Sequence, residues 1–201
     1  MPTSTPRTPL DDTGLALLFG DARTQNSWHP KAVPDTLLHN LFDLMKMAPT
    51  SANCSPARFV FVSTEAGKEK LKPALSSGNL EKSMAAPVTA VIAHDMQFYE
   101  HLPKLYPHTD ARAWFTGNDA LITETAFRNG TLQGAYLMIA ARALGLDCSP
   151  MSGFDVDKVN CTFFPGGRFK VNFLCNIGYG NDEHVHPRGP RFDFDEVCSI
   201  I

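Results

Sequence analysis

The residues of this chain best suited to chemistry are scattered arginines and short polar side chains, and no compact catalytic motif joins them. Arg23, Arg188 and Arg191 could bind a phosphate, because a guanidinium fork can donate two hydrogen bonds to one anion. Thr24 and Gln25 follow Arg23 and add a hydroxyl and an amide to that end of the chain. The alternative is simple solvent exposure, which is the commoner state of any single arginine.

Two loops carry groups that could approach a ligand closely. The first, residues 49–56, offers hydroxyl and amide groups from Ser51, Asn53 and Ser55. Such groups can bind a polar ring edge or a ribityl chain, although ordinary turns use the same residue types and spacing alone favours a turn. The second loop, residues 150–155, joins a predicted strand to a predicted helix, and its glycine lets backbone N–H groups face a ligand. A plain loop would have a similar sequence.

Two other chemistries are open alternatives. His184 and His186 beside Asp182 and Glu183 could contribute to a metal site, but such a site needs a third ligand from elsewhere, so a polar surface loop is favoured. Cys54 could be a nucleophile if the fold supplied a base, since no histidine lies near it in sequence. The glycine-rich nucleotide loops and the nucleophile elbow of hydrolases do not occur in the chain.

Composition limits the class of protein. The chain has 201 residues, of which 43% are hydrophobic and 19% charged, and a formal net charge of −3. These values are typical of a globular domain with a core and argue against a nucleic-acid-binding protein. No apolar run has the length of a membrane span, and the N-terminus lacks the pattern of a signal peptide, so a cytoplasmic location is expected. Five widely spaced cysteines favour neither a disulfide framework nor structural zinc.

Hydrophobic periodicity predicts one α/β or α+β domain in which short strands alternate with helices. Predicted helices cover residues 12–19, 34–48, 64–72 and 118–144, and predicted strands cover 59–62, 88–93, 147–151 and 171–179. The first two strands are expected to be buried on both faces. Gly130 and Gly134 inside the longest helix each cost about 1 kcal/mol relative to alanine, so we expect another helix or a ligand to approach them closely. Residues 1–10 are expected to form a flexible N-terminus and 11–201 the domain, with an extended tail before a last short helix.

Eight collinear segments resemble the FMN-dependent nitroreductase superfamily, and in particular its subgroup of malonic semialdehyde reductases of pyrimidine degradation. The matching segments are residues 21–24, 49–58, 73–80, 86–90, 124–129, 143–147, 150–155 and 176–180. Each segment alone is a weak signal, whereas the ordered set, which covers the chain from about Leu15 onward, is specific. Two departures, Ser27 in place of a basic residue and Ala57 in place of an aromatic one, weaken the case for nitroaromatic substrates.

The resemblance implies an α+β fold with a central, mostly antiparallel sheet flanked by helices. It also implies an intertwined homodimer that binds FMN in two clefts at the subunit interface, with the C-terminal tail wrapped around the partner. Neither a metal, a nucleic acid nor a membrane is expected to take part.

The resemblance further implies which residues bind the cofactor. Arg23 would contact the FMN phosphate with Thr24 and Gln25 nearby, and Arg188 and Arg191 would close on the phosphate from the tail. Ser51, Asn53 and Ser55 would line the flavin from the partner subunit. Ser152 and Gly153 would present backbone N–H groups to the N5 and O4 edge of the ring, and Pro150 and Met151 just before them would also contact the cofactor. Trp114 and Phe115 would form a substrate gate, although core packing accounts for them equally well.

The activity that the resemblance implies is an NAD(P)H oxidoreductase with ping-pong kinetics, in which hydride passes through flavin N5. No side chain is expected to be catalytic, because the cofactor carries the chemistry. The implied reaction reduces malonic semialdehyde to 3-hydroxypropanoate. A broad nitro or quinone reductase and a protein that stores or senses FMN without turnover are the alternatives.

Overall fold

Four strands form one sheet in the computed structural model, which describes residues 7–201. The strands are β1 (Ala57–Val62), β2 (Val88–Asp95), β3 (Asp147–Met151) and β4 (Phe169–Gly178), in the spatial order β1-β2-β4-β3. All three neighbouring pairs are antiparallel, which confirms the predicted sheet type. Residues 1–6 of the expected flexible N-terminus lie outside the described residues, and the division of the chain at residue 10 stays a prediction.

The position of each strand in the sheet decides how deeply it is buried. Every residue of β2 is buried, because β1 and β4 pair with its two edges and helices cover its two faces. The expectation of burial on both faces is wrong for β1, where Phe59 and Phe61 are only partly buried. β1 is an edge strand, so one side of it lacks a neighbour that would cover these rings.

Eight α-helices are assigned in the described part of the chain. They are α1 (Asp12–Leu15), α2 (Asp35–Met45), α3 (Glu65–Leu71), α4 (Ser77–Ala85), α5 (Leu102–Leu105), α6 (Asp119–Ala143), α7 (Val156–Phe163) and α8 (Phe194–Val197). The sheet carries separate apolar clusters, one shared with α2 and α6 and the other with α3 and α7. Among residues 7–201, no helix combines the length and the apolar character that a membrane crossing requires.

Helix α6 shows how closely local signals predicted the elements. Asn118 caps its N-terminus by accepting a hydrogen bond from the Leu121 N–H, and Gly145 follows its end with a φ of +73°. We expected another helix or a ligand to approach Gly130 and Gly134 of this helix. That expectation is wrong, because residues of the strands approach them instead. A Cβ at Gly130 would lie 3.0 Å from the Cβ of His94 on β2, and one at Gly134 would lie 2.6 Å from the Phe173 ring on β4.

Candidate functional site

A pocket of about 450 Å³ collects four arginines. Three of them are the predicted Arg23, Arg188 and Arg191, and the fourth is Arg142 from the last turn of α6. Neither Asp nor Glu lines this pocket, and no ion pair among residues 7–201 involves any of the four arginines. Four formal positive charges without a carboxylate make the pocket suited to a multiply charged anion. We call it the arginine pocket.

Backbone carbonyl groups hold the four guanidinium groups in place. Arg23 donates a hydrogen bond to the backbone oxygen of His186, and Arg142 donates one to the backbone oxygen of Leu18 at 3.1 Å. Arg188 donates to the backbone oxygens of Gly20 at 2.6 Å and Ala22 at 3.2 Å. Arg191 donates to the backbone oxygens of Gly189 at 3.0 Å and Pro190 at 2.9 Å. These acceptors are neutral, so the positive charges stay uncompensated. The contacts of Arg23 and Arg188 also tie the C-terminal tail to the start of the domain.

A turn of π-helix, Ala16–Gly20, provides part of this acceptor set. It continues α1 and closes with a hydrogen bond of 2.8 Å from the Asp21 N–H to the Ala16 oxygen. The wider turn leaves the carbonyl groups of Leu18 and Gly20 to accept from arginines. Single π turns are frequent at functional sites, and this one lies beside the arginine pocket.

The segment after Arg23 lies along the outer edge of β3. Thr24 forms a parallel bridge with Cys148, and the Gln25 N–H donates to the Cys148 oxygen at 3.1 Å. Thr24 lines the arginine pocket, whereas Gln25 turns away from it. The Gln25 side chain is buried, donates to Asp182 Oδ1 at 2.9 Å and lines a separate cavity of about 360 Å³.

The loop between β3 and α7 exposes Ser152 and Gly153. The Gly153 oxygen accepts from the Ser76 N–H at 3.2 Å and from Asn79 Nδ2 at 2.9 Å. A Cβ at Gly153 would lie 2.5 Å from Asn79 Nδ2, so a larger residue at this position would displace the Asn79 side chain. Neither Ser76 nor Asn79 was predicted as a site residue, although both lie in the matching segment 73–80 and that segment was the signal available.

The residues before this loop belong to β3 itself. Pro150 is exposed, whereas the Met151 side chain is buried and its sulfur accepts from Ser83 Oγ at 3.4 Å. The Met151 side chain therefore lies in the core and not at the surface of the loop. Between Cys148, beside Thr24, and Ser152, the strand rises by about 13 Å, at about 3.3 Å per residue. The arginine pocket and the exposed loop thus lie at the two ends of one strand.

The polar loop before β1 has a strained backbone. Ala52, Asn53 and Ser55 have φ values of +49°, +51° and +39°, a region that residues with side chains rarely adopt. Such strain is concentrated at functional sites, where the surrounding structure holds it. Here the Asn53 side chain donates to the Leu105 oxygen at 2.9 Å, and Thr50 Oγ1 accepts from the Ser55 N–H at 3.1 Å.

Two buried amide side chains of α6 hold the same loop from below. Asn129 Oδ1 accepts from the Ser51 N–H at 2.9 Å, and Gln133 Oε1 accepts from the Ala57 N–H at 2.8 Å. The two residues are four positions apart and so lie on one face of the helix. Sequence patterns gave them no role, because a buried amide partner for a distant backbone group leaves no local signal.

The sheet order separates this loop from the other two groups of site residues. The loop leads into β1 at one edge of the sheet, whereas the arginine pocket and Ser152 adjoin β3 at the other edge. Three strand spacings of about 4.8 Å place the edges about 14 Å apart. Within one chain, the structure does not bring Ser51, Asn53 and Ser55 to the arginine pocket.

The competing chemistries find little support in the geometry. Burial raises the pKa of the Cys54 thiol to about 11, and a thiol that stays protonated is a poor nucleophile. No cluster of three or more metal-ligating side chains is present among residues 7–201, so His184 and His186 have no third ligand there. Phe115 is 5% exposed and packs on Phe98 with ring centroids 4.9 Å apart, as core packing requires, whereas Trp114 is 51% exposed.

Comparison with known proteins identifies relatives over almost the whole chain. The model of the nitroreductase family matches residues 22–179. A protein of Burkholderia lata is 61% identical over 193 residues, which are 96% of this chain and 99% of the relative. A Ralstonia nicotianae protein is 57% identical over 192 residues, which are 96% and 98% of the two chains. Both carry the provisional name NADH dehydrogenase/NAD(P)H nitroreductase.

A solved structure shares the fold at low sequence identity. A provisionally named nitroreductase from Exiguobacterium sibiricum, in complex with FMN, superposes with a TM-score of 0.84 at 18% identity and covers 98% of this chain and 100% of its own. The predicted α+β fold, an antiparallel sheet flanked by helices, is confirmed.

Proposed function

The chain belongs to the nitroreductase family, and from that premise we propose that it is an FMN-dependent NAD(P)H oxidoreductase. The observation that carries the proposal is the arginine pocket at one end of β3 with an exposed backbone loop at the other end. FMN has a phosphate of about two negative charges at one end and a polar ring edge at the other. The separation of about 13 Å along β3 suits a ligand with these two ends.

The donors present fit this cofactor. Arg23, Arg188 and Arg191, with the Thr24 hydroxyl, would hold the phosphate through charge-assisted hydrogen bonds. In the described part of the chain, the N–H groups of Ser152 and Gly153 have no acceptor, so these groups are available to the ring edge. Because the N–H groups of Ser152 and Gly153 are exposed, they can donate to a ligand without breaking a hydrogen bond within the protein.

When bound, the flavin supplies the hydride chemistry, which it carries between NAD(P)H and the acceptor. The protein has to bind the cofactor, orient it and leave one ring face open. Backbone donors at the ring edge would stabilise negative charge there and so raise the tendency of the cofactor to accept electrons. Hydride transfer through the flavin requires no acid–base pair of side chains. This agrees with the fact that Ser152, Gly153 and Asn53 carry no charge and offer only hydrogen-bonding groups.

We propose that the complete site forms between two copies of the chain. Ser51, Asn53 and Ser55 adjoin the far edge of the sheet, and in the proposed dimer a second copy would supply them to the ring. The tail and the outer face of α6 expose large apolar side chains, which include Phe192, Phe194, Phe127 and Leu132. Burial of such side chains against a partner stabilises a dimer, and the exposed tail can wrap around that partner.

From the resemblance to malonic semialdehyde reductases we propose a specific electron acceptor. It is malonic semialdehyde, a small aldehyde that would be reduced to 3-hydroxypropanoate. The provisional names of the relatives favour a second candidate, the reduction of nitro compounds or quinones. Trp114 stays a proposed gate residue for either acceptor, since its ring is half-exposed beside Tyr106. A cytoplasmic location is part of the same proposal.

Anaerobic reduction tests the function. The purified protein is mixed with NADH or NADPH, and the flavin absorbance is expected to bleach and to return when an acceptor is added. Malonic semialdehyde, a quinone and a nitroaromatic compound are compared as acceptors by kcat/KM. A flavin that stays yellow with both donors would indicate storage or sensing, and colourless protein that takes up no added FMN would contradict the proposal.

The Arg23→Ala variant tests the phosphate site separately. Loss of one charged hydrogen-bond partner costs about 1.5–3 kcal/mol, so the variant should release FMN on dialysis when the unchanged protein retains it. Arg7, which is exposed and lies outside the arginine pocket, provides the matched control, Arg7→Ala. Full flavin occupancy of Arg23→Ala after dialysis would show that Arg23 does not bind the phosphate.

A further inference from the structure

We propose that Arg142 is a direct ligand of the cofactor phosphate and the one phosphate ligand that a long helix holds in place. The inference rests on the proposed function, because it concerns the same cofactor. Arg142 lines the arginine pocket with Arg23, Arg188 and Arg191, although it belongs to no recognised phosphate motif. It is half-buried, and it stands in the last turn of α6.

The hydrogen bonds of Arg142 leave most of its donors available. Its Nη1 donates to the Leu18 oxygen at 3.1 Å, and within residues 7–201 its other N–H groups have no acceptor. A guanidinium carries five N–H donors in a planar fork. One bond to a neutral carbonyl therefore orients the group and leaves a two-donor edge for an anion.

A purely structural role explains Arg142 only in part. A cation in the last turn of a helix interacts favourably with the helix dipole, and that effect requires no ligand. It does not explain why three further arginines converge on the same pocket without a carboxylate. Like charges at such proximity repel each other, and a bound dianion would turn this repulsion into attraction.

Arg142 also differs from the other three arginines in the rigidity of its support. Arg188 and Arg191 belong to an exposed tail, and Arg23 belongs to a loop. Helix α6 has 25 residues, and buried side chains along its length pack it against the sheet. We infer that Arg142 fixes the position of the phosphate and that the tail arginines close over it.

The test compares two flavins on the apoprotein. Arg142→Met keeps a long side chain and removes the charge, and dissociation constants for FMN and for riboflavin are measured by quenching of flavin fluorescence. We expect FMN to bind about 10- to 100-fold more weakly than to the unchanged protein, since a hydrogen bond to a charged group has this effect. Riboflavin lacks the phosphate, so its dissociation constant should stay the same.

Two further variants control for charge and for folding. Lys70→Met removes a positive charge from an exposed position of α3 outside the pocket and should change neither constant. If Arg142→Met does not fold, as judged by circular dichroism, Arg142→Gln replaces it, because an amide can still donate to the Leu18 oxygen. An unchanged ratio of the FMN and riboflavin constants would overturn the role of Arg142. Failure of the unchanged protein to bind FMN would instead overturn the proposed function.

Discussion

Cys54 and Cys161 are chemically identical residues that the fold places in opposite surroundings. Cys54 is buried among apolar side chains, and burial raises the pKa of its thiol to about 11, whereas Cys161 is exposed on α7. At neutral pH we therefore expect iodoacetamide to alkylate Cys161 in the native protein and to leave Cys54 intact. Peptide mass mapping after a short reaction measures both. Alkylation of Cys54 as fast as that of Cys161 would restore Cys54 as a candidate nucleophile.

Lys68 is a second residue whose behaviour depends on its environment. Its side chain is buried, and Nζ donates to the Ser83 oxygen and to Thr89 Oγ1, both at 2.7 Å, with no carboxylate partner within residues 7–201. Burial disfavours the charged form and lowers its pKa from 10.5 to about 8. The hydrogen bonds orient the amine but do not compensate its charge.

This pKa predicts how stability depends on pH. Between about pH 8 and pH 10.5 the unfolded chain binds more protons at Lys68 than the folded chain does. The free energy of unfolding should therefore rise with pH over this window, by about 3 kcal/mol in total. Denaturant unfolding at a series of pH values measures the rise, and Lys68→Met should abolish it. Lys72→Met, at an exposed position, should keep it, and equal profiles for the two variants would contradict the prediction.

At the scale of elements, α6 shows what one sequence pattern can and cannot predict. The predicted helix over residues 118–144 agrees with α6 within one residue at each end, because the features that end it, the cap at Asn118 and the left-handed Gly145, are local. The pattern could not show that strands cover Gly130 and Gly134, since periodicity reveals an apolar face but not the element that packs on it. For the same reason β1 was expected to be fully buried, although its edge position exposes it.

The close contact between α6 and β4 gives an element-scale prediction. A Cβ at position 134 would lie 2.6 Å from the Phe173 ring, so Gly134→Ala should force the helix from the sheet and cost about 1–3 kcal/mol. Gly78 in α4 is the matched control, because a Cβ at that position would have no neighbouring atom within 4 Å in the described part of the chain. Gly78→Ala should stabilise the protein by up to about 1 kcal/mol. Thermal unfolding of both variants measures these effects, and a stabilised Gly134→Ala would contradict the packing argument.

At the scale of the whole molecule, the candidate site could be predicted only in pieces. Arg23, Arg188 and Arg191 were predicted as phosphate ligands from residue type and resemblance, and the fold places them in one pocket, while their binding of a phosphate stays a prediction. Arg142 was missed, because a single arginine at a helix end is ordinary until three others are found beside it. The separation of Ser51 from these arginines depends on strand order, which no local pattern encodes. The arrangement of the site therefore follows from topology and, as we propose, from a second copy.

In the proposed dimer the C-terminal tail links cofactor binding to assembly, and a truncation tests that link. Removal of residues 188–201 deletes Arg188 and Arg191 together with the exposed side chains of Phe192, Phe194 and Val197. We expect the shortened chain to lose FMN and the dimer together, because in the proposed complex the same segment would supply phosphate ligands and apolar contact area. Light scattering after gel filtration gives the assembly state, and flavin absorbance gives the occupancy. The double variant Arg188→Ala/Arg191→Ala keeps the apolar tail, so it should lose flavin and remain a dimer. A truncated chain that stays yellow and dimeric would show that the tail takes no part in either.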